Sequence, residues 1–508
     1  MELADLVGSR LAIGIPGTVI TPDILAHFRE LRAGGLILYR RNFASPAQLR
    51  QLLTDLEEAL ERRLLVLVDH EGGRVIMFRE GVTIFPDNLA VGQVGAVAAA
   101  QRQGEIEAKE LRRLGIDVNL APVLDVLTDA YSPNIGIRSY GRDSQVVAAL
   151  GTARLTAMQR GGLSACAKHF PGKGHAPVDA HLGLPVIDST WEEMWAVHLP
   201  PFQAAIRAGV DLVMSSHPYY PRLDPESRQI ATFSPRLIHD CLRQELDFRG
   251  VICSDDLEMG AVAATCPIGA AGVLATRAGH DLLLVCHTQK AQRQVQQALV
   301  AAYQRRELSW EELEASAARL EKLRSQRDCR FAPGPPQPEP DGAALAAALS
   351  RQAVRVLQDL RRLLPLDRRY QRLGVVFPRF AELDDRIMIE RELLTPAAFL
   401  RAEFEAWGLQ PEILLVGMEP GEPDLAAAQE LAQRTDLLVY CCYDAHLFPT
   451  NRALLDRLQT AAAGLVVVLL RDPYDLALLR PEATAVTAWG WRVCQLRAVV
   501  AALCRPPA

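Results

Sequence analysis

Eight short apolar runs, each ending in glycine, proline or polar residues, dominate the first 290 residues of this chain of 508. They are LAIGIPGT (11–18), GGLILYRRN (34–42), LLVLVDHEGG (64–73), GIDVNLAPVLDV (115–126), LSACAKHFPG (163–172), GVDLVMSSHP (209–218), GVICSDDLEMG (250–260) and HDLLLVCH (280–287). Strands buried on both faces read as continuous apolar runs, and eight of them separated by helices in this length point to a (β/α)8 barrel. The intervening PAQLRQLLTDLEEALERR (46–63) and VVAALGTARLTAMQRGG (146–162) carry apolar residues three and four apart, the spacing of an amphipathic helix. The expected fold class is therefore α/β, a TIM barrel over residues 1–328.

A different composition follows. RFAPGPPQPEPDG (330–342) is too rich in proline for either regular element and reads as a semi-rigid linker over 329–343. Beyond it, helix-like ALAAALSRQAVRVLQD (344–359) leads to strand-like RLGVVFP (372–378), EILLVGM (412–418), DLLVYCCYD (436–444) and GLVVVLLRDPYD (464–475). These predict a second, smaller α/β domain at 344–508, an open sheet. No glycine-rich phosphate loop opens its helices, which argues against a nucleotide site there.

Composition excludes several classes. The net charge of −6 and the lack of a local basic patch argue against nucleic acid or anionic membranes as partners. MELADLVGSRLAIGIPGT lacks the basic start and apolar run of a secretory signal, and GLVVVLL (464–470) is strand-sized, so a cytoplasmic location is expected. The ten cysteines have no metal-ligand spacing, and Cys166, Cys253 and Cys286 sit in apolar runs as small hydrophobes. Nothing in the sequence points to a particular oligomeric state.

Asp69, Asp125, Lys168, His169, His217 and Asp255 all follow the apolar part of a run, at the C-terminal ends of the expected strands. In a barrel that face carries the active site. Any one of them reads equally as a cap or solvated loop residue; six at one end do not. Only five of the 55 basic residues are lysine, and two of these, Lys168 and Lys173, lie within KHFPGKGHAPVDAHLGLP (168–185). In VDAHLGLP, Asp179 and His181 are two apart, so an extended segment aims both to one side. The carboxylate then fixes the imidazole tautomer and leaves the other nitrogen for proton transfer; the plainer reading is a surface histidine beside a turn aspartate. In SDDLEMG (254–260), alternation sends Asp255 and Asp256 to opposite sides, one suited to attack an electrophilic carbon and the other to a structural role. A divalent-metal site competes for these acids and histidines, but Lys168, Lys173 and Arg138 would repel a cation. Cations and carboxylates together, with Asp69, Arg138, Lys168 and His169 among them, suit a neutral polyol whose hydroxyls both donate and accept.

VDHEGGRV (68–75), APVLDV (121–126), IGIRSYG (135–141), AKHFPGKG (167–174), VDAHLGLP (178–185), HLPPF (198–202) and GVICSDDLEMGA (250–261) resemble, in this order, glycoside hydrolase family 3, nearest its β-N-acetylhexosaminidase branch. The likeness covers 1–328; the second domain resembles the C-terminal α/β sandwich of longer members, chiefly in LVVVLLRDPYD. The resemblance implies a retaining double displacement with Asp255 as nucleophile, His181 with Asp179 as acid/base dyad, and Asp69, Arg138, Lys168 and His169 holding the sugar. It implies no cofactor or metal, and a small amino-sugar glycoside from cell-wall or chitin fragments as substrate. The sequence departs from the branch at Lys173, where histidine is common, at His175, and at Met77, where an arginine usually stands and Arg79 follows two residues on. Other readings are a β-glucosidase or xylosidase, a phosphorylase of the same family, and an inactive sugar-binding protein; retention of Asp255, Asp179 and His181 together argues against the last.

Overall fold

The computed structural model describes residues 2–129, 132–175, 184–326 and 329–505. Each apolar run of the first part contains a parallel strand: β1 (Leu11–Ile13), β2 (Gly35–Leu38), β3 (Leu65–Val68), β4 (Val118–Asn119), β5 (Ser164–Phe170), β6 (Leu212–Ser215), β7 (Val251–Cys253) and β8 (Leu283–Val285). Their order is β7-β6-β5-β4-β3-β2-β1-β8, and a parallel bridge between Cys253 and Leu282 joins the two ends into a barrel. The expected (β/α)8 barrel is what forms.

Every residue of these strands is buried. Alternate residues, including Leu65, Leu67, Leu212, Met214, Val251 and Cys253, form one apolar cluster, the arrangement by which strand alternation fills a barrel interior with side chains. Leu320 and Leu323 of the helix Trp310–Ser325 belong to the same cluster. All ten cysteines are unpaired, and Cys166 and Cys253 are part of this packing.

Proline-rich residues 329–339 belong to the barrel unit. The Arg330 guanidinium binds Glu57 and Asp117, Ala332 N–H donates to the Arg112 carbonyl at 3.0 Å, and Glu339 receives Arg113 at 2.7 Å and Lys109 at 3.1 Å.

The second compact unit comprises residues 72–79, 84–94 and 340 onward. Its sheet contains β9 (Arg355–Gln358), β10 (Leu373–Pro378), β11 (Glu412–Val416), β12 (Leu437–Cys442), β13 (Leu465–Leu469) and β14 (Thr484–Thr487), in the order β11-β10-β12-β13-β14-β9. Only β9 is antiparallel. One face buries Val375, Phe377, Val439 and Val466, the other Val376, Leu438, Tyr440 and Val467, so both faces are covered. The helix expected over 344–359 ends at Ala353; Arg355–Gln358 pairs with β14 at the sheet edge, a tertiary contact that overrides the helical spacing of ALAAALSRQAVRVLQD.

The early segment is built into this unit by Arg492, which is fully buried. Its guanidinium donates to the carbonyls of Gly73 (2.6 Å), Met388 (2.9 Å) and Arg74 (3.4 Å) and stacks 4.1 Å from the Trp491 ring centroid. Asp87 Oδ1 accepts the Arg74 N–H at 2.6 Å. Among the described residues no helix is long and apolar enough to cross a membrane.

Candidate active site

The C-terminal ends of β3, β4, β5 and β7 bring together Asp69, Glu71, Asp125, Lys168, His169, Lys173 and Asp255, with Arg138 from the short helical turn Gly136–Arg138. Lys168 lies within β5 and is fully buried. Its ammonium reaches Asp69 Oδ1 at 2.5 Å and Glu71 Oε1 at 2.6 Å. Glu71 in turn receives Arg138 through two parallel bonds, Nε to Oε2 at 2.8 Å and Nη2 to Oε1 at 2.7 Å. Burial opposes the charge on Glu71, but Arg138 and Lys168 overcome it and hold the carboxyl well below its ordinary range. The same two carboxylates keep Lys168 protonated despite burial.

Glu71 was not among the residues singled out from the sequence. The available signal is its spacing: Asp69 and Glu71 are two apart after a strand, so their side chains share a side. Its backbone is fixed by Arg154 of the helix Ser144–Arg160, buried against Glu107 at 2.8 Å, which donates to the Glu71 carbonyl at 2.7 Å. Asn119 clamps the intervening residue, accepting His70 N–H and donating to His70 O at 3.0 and 2.9 Å.

His169 Nδ1 lies 2.7 Å from Asp125 Oδ2 and its Nε2 lies 3.4 Å from Arg138 Nη2. A carboxylate only accepts and a guanidinium only donates, so the ring carries its proton on Nδ1 and is neutral. Burial first, then Lys173, Arg138 and Lys168, push its pKa well below the ordinary histidine value. Arg138 also gives Nη1 to the Asn134 carbonyl and side-chain oxygen, both at 2.9 Å, so every guanidinium N–H has an acceptor. Asp69 differs: its side chain is 28% exposed and Oδ2 has no protein donor among the described residues. Burial raises it to about 6, Lys168 opposing the rise and Glu71 adding to it.

Asp255 follows β7 with its side chain 19% exposed. Oδ1 accepts the Asp256 N–H at 2.9 Å, and Oδ2 stands 3.7 Å from Lys173 Nζ. Burial raises its pKa, but Lys173 and then His217 outweigh that and the net shift is downward. Lys173 has the reciprocal problem: burial lowers its pKa and Asp255 opposes. Asp256 turns away into structure. It accepts Glu258 N–H at 3.1 Å and Cys286 N–H at 3.2 Å, stands 3.0 Å from His287 Nε2, and offers its carbonyl to His217 Nε2 at 3.0 Å. That carbonyl fixes the His217 proton on Nε2, and a buried string of Thr232, Ser215 and His280 backs the ring on its other side.

Asp179 and His181 lie outside the described residues. His175 Nδ1 stands 3.0 Å from the Thr128 hydroxyl. Arg79, in the second unit, gives its guanidinium to Asp384 and the Ile389 carbonyl, both at 3.4 Å. Among the described residues no group of three or more histidines, cysteines and acids stands where it could hold a metal ion.

Residues 19–323 match the glycosyl hydrolase family 3 N-terminal domain. A β-hexosaminidase of Methylococcus capsulatus is 40% identical over 299 residues, 58% of this chain and 85% of that protein. A solved glycoside hydrolase family 3 β-N-acetylglucosaminidase from Paenibacillus sp. FPU-7 superimposes with a TM-score of 0.92 at 31% identity, over 99% of this chain and 97% of that one. NagZ of Neisseria gonorrhoeae in complex with N-trifluoroacetyl-D-glucosamine matches with a TM-score of 0.52 at 32% identity, over 62% of this chain and 97% of that one. The chain belongs to glycosyl hydrolase family 3 and is a glycoside hydrolase.

Proposed function

We propose that this enzyme is a retaining exo-β-N-acetylglucosaminidase that removes terminal β-linked N-acetylglucosamine, with turnover of cell-wall or chitin fragments in the cytoplasm as its setting. The barrel unit, residues 1–71, 80–83 and 95–339, is the catalytic domain. The observation that carries the reading is Asp255: an ionised carboxylate at a strand end, anchored through one oxygen and presenting the other beside Lys173. Whole-length likeness to a β-N-acetylglucosaminidase, and the amino sugar bound in the Neisseria relative, favour N-acetylglucosamine over glucose or xylose.

In the first step Asp255 Oδ2 attacks the anomeric carbon as the bond to the glycosidic oxygen breaks. The leaving oxygen takes that electron pair and a proton from the His181 imidazolium, which Asp179 orients and whose charge it offsets. In the second, water gives a proton to His181 and attacks the same carbon, releasing the Asp255 carboxylate. Asp69 accepts sugar hydroxyls at Oδ2, and Lys168 donates the hydrogen not engaged by Asp69 and Glu71. Arg138 and His169 take part by exchanging their mutual 3.4 Å contact for hydroxyls.

The test is hydrolysis of aryl β-N-acetylglucosaminide, β-glucoside and β-xyloside by wild type and Asp255→Ala, with and without phosphate. Turnover confined to the N-acetylglucosaminide, independent of phosphate and lost in the variant, is expected. Wild-type rates in Asp255→Ala would remove the nucleophile assignment, and preference for another sugar would remove the substrate.

A further inference from the structure

At the other end of the barrel, the ends of β1–β3 where the strands begin, lies an open cavity of about 490 Å³. Five arginines line it: Arg29, Arg32, Arg62, Arg63 and Arg324. Among the described residues two carboxylates, Asp5 and Glu321, stand in its wall. Arg32 pairs with Asp5 at 2.5 Å and with Glu2 at 3.1 Å, Glu321 lies 3.5 Å from Arg324, and Arg63 uses Asp117 at 3.1 Å. Arg29 and Arg62 have no carboxylate within ion-pair distance among the described residues; each is held by one carbonyl, Ala59 and Ala33 respectively, at 2.7 Å.

A guanidinium has five donors, so one carbonyl leaves most of them available. Arg29 and Arg62 thus add two positive charges that no carboxylate pairs directly among the described residues, a surplus that opposes folding unless something else balances it. Burial, and then the nearby Arg324, push Arg62 below the ordinary arginine value, so these two charges repel each other. The carbonyl tethers nevertheless hold the cations in place: Arg324 Nη2 is fixed to the Ser9 carbonyl at 2.6 Å. Pre-positioned guanidinium forks match phosphate oxygens two bonds at a time. The cavity exceeds what one phosphate fills and falls in the range of small-molecule sites.

We infer that this arginine-lined cavity at the N-terminal end of the barrel binds a phosphate-bearing small molecule, on the face opposite Asp69 and Asp255. Its phosphoryl group sits among Arg29, Arg62 and Arg324, and the remaining volume takes whatever carries it.

The experiment is thermal unfolding and calorimetric titration of the full chain with inorganic phosphate, pyrophosphate and glucose 6-phosphate, each against sodium chloride of matched ionic strength. Saturable stabilisation of the wild type is expected, weakened about tenfold or more in both Arg62→Gln and Arg29→Gln. Arg29 is exposed, so its variant folds even if Arg62→Gln does not. Hydrolysis of the aryl glycoside stays unchanged in the variants without anion. Tighter binding of glucose 6-phosphate or pyrophosphate than of phosphate assigns an organic or diphosphate source; equal binding assigns free phosphate. No saturable shift beyond the chloride control overturns the inference, and so does an equal shift in wild type and both variants.

Discussion

Lys173 Nζ stands 3.7 Å from Oδ2 of Asp255. Its backbone N–H also donates to Asp125 Oδ1 at 2.6 Å, so one residue faces a buried carboxylate and a half-buried one. Burial raises Asp125 to about 6, with Lys173 the main opposing charge. The acid limb of kcat/KM should fall near pH 6, where Asp69 and Asp125 take up protons and cease to act as anionic acceptors. In Lys173→Met, burial is left less opposed at both Asp255 and Asp125, and their pKa values rise. The limb should then move upward by about one unit or more. A kcat/KM profile between pH 4 and 9 checks this; an unmoved limb would show that Lys173 does not hold these carboxylates ionised.

Leaving-group chemistry separates the roles of Asp255 and His181. His181→Ala should lose far more activity on glycosides with poor leaving groups than on activated aryl glycosides, which need little protonation. Equal losses on both substrates would take the acid/base role away from His181.

Glu71 is buried between two cations, Arg138 and Lys168. Glu71→Gln keeps its size and removes its charge, leaving both cations short of a partner. We expect kcat/KM to fall on the order of 100-fold, with a loss of stability of about 3 kcal/mol, typical of a broken buried pair. Undiminished kcat/KM would show that Asp69 alone is enough to orient Lys168.

Asp87 gives the second unit a pH dependence. Its Oδ2 has no hydrogen-bond partner among the described residues, and burial raises its pKa to about 7. Because the folded value lies above the unfolded one, its favourable contribution is full below about pH 4 and is lost as pH rises through 7. Asp87→Asn keeps an acceptor for Arg74 N–H and cannot ionise. It should gain stability relative to wild type between pH 4 and 8, by up to about 4 kcal/mol. Denaturant unfolding at pH 5 and pH 8 measures it; a constant difference between the two would mean that Asp87 is ionised throughout.

The barrel was legible because its strands are buried on every side, so burial alone shapes their composition. Edge strands carry less of that mark. Arg355 and Val356 of β9 are exposed and Leu357 and Gln358 only half-buried; Thr484–Thr487, buried between β13 and β9, escapes notice for another reason, being four residues of small side chains. At the site, the chemistry-bearing residues Asp69, Arg138, Lys168, His169 and Asp255 could be found by where the apolar runs stop. Their pairing could not. Lys168 meets Asp69 across 99 residues and Arg138 meets Glu71 across 67, and no local pattern encodes those distances along the chain. For the same reason nothing in the sequence marked residues 72–79 and 84–94 as part of the second unit.

That division matters to a ribosome. About 250 residues separate Val94 from Pro340, where the rest of the second unit begins. At the usual pace of synthesis the early segment emerges roughly 20 to 80 s before Arg492 exists to bind its carbonyls. Its buried side chains Ile76, Phe78 and Phe85 are therefore born into water without their final neighbours, and the nascent chain carries them as exposed apolar surface until the rest of the second unit is made.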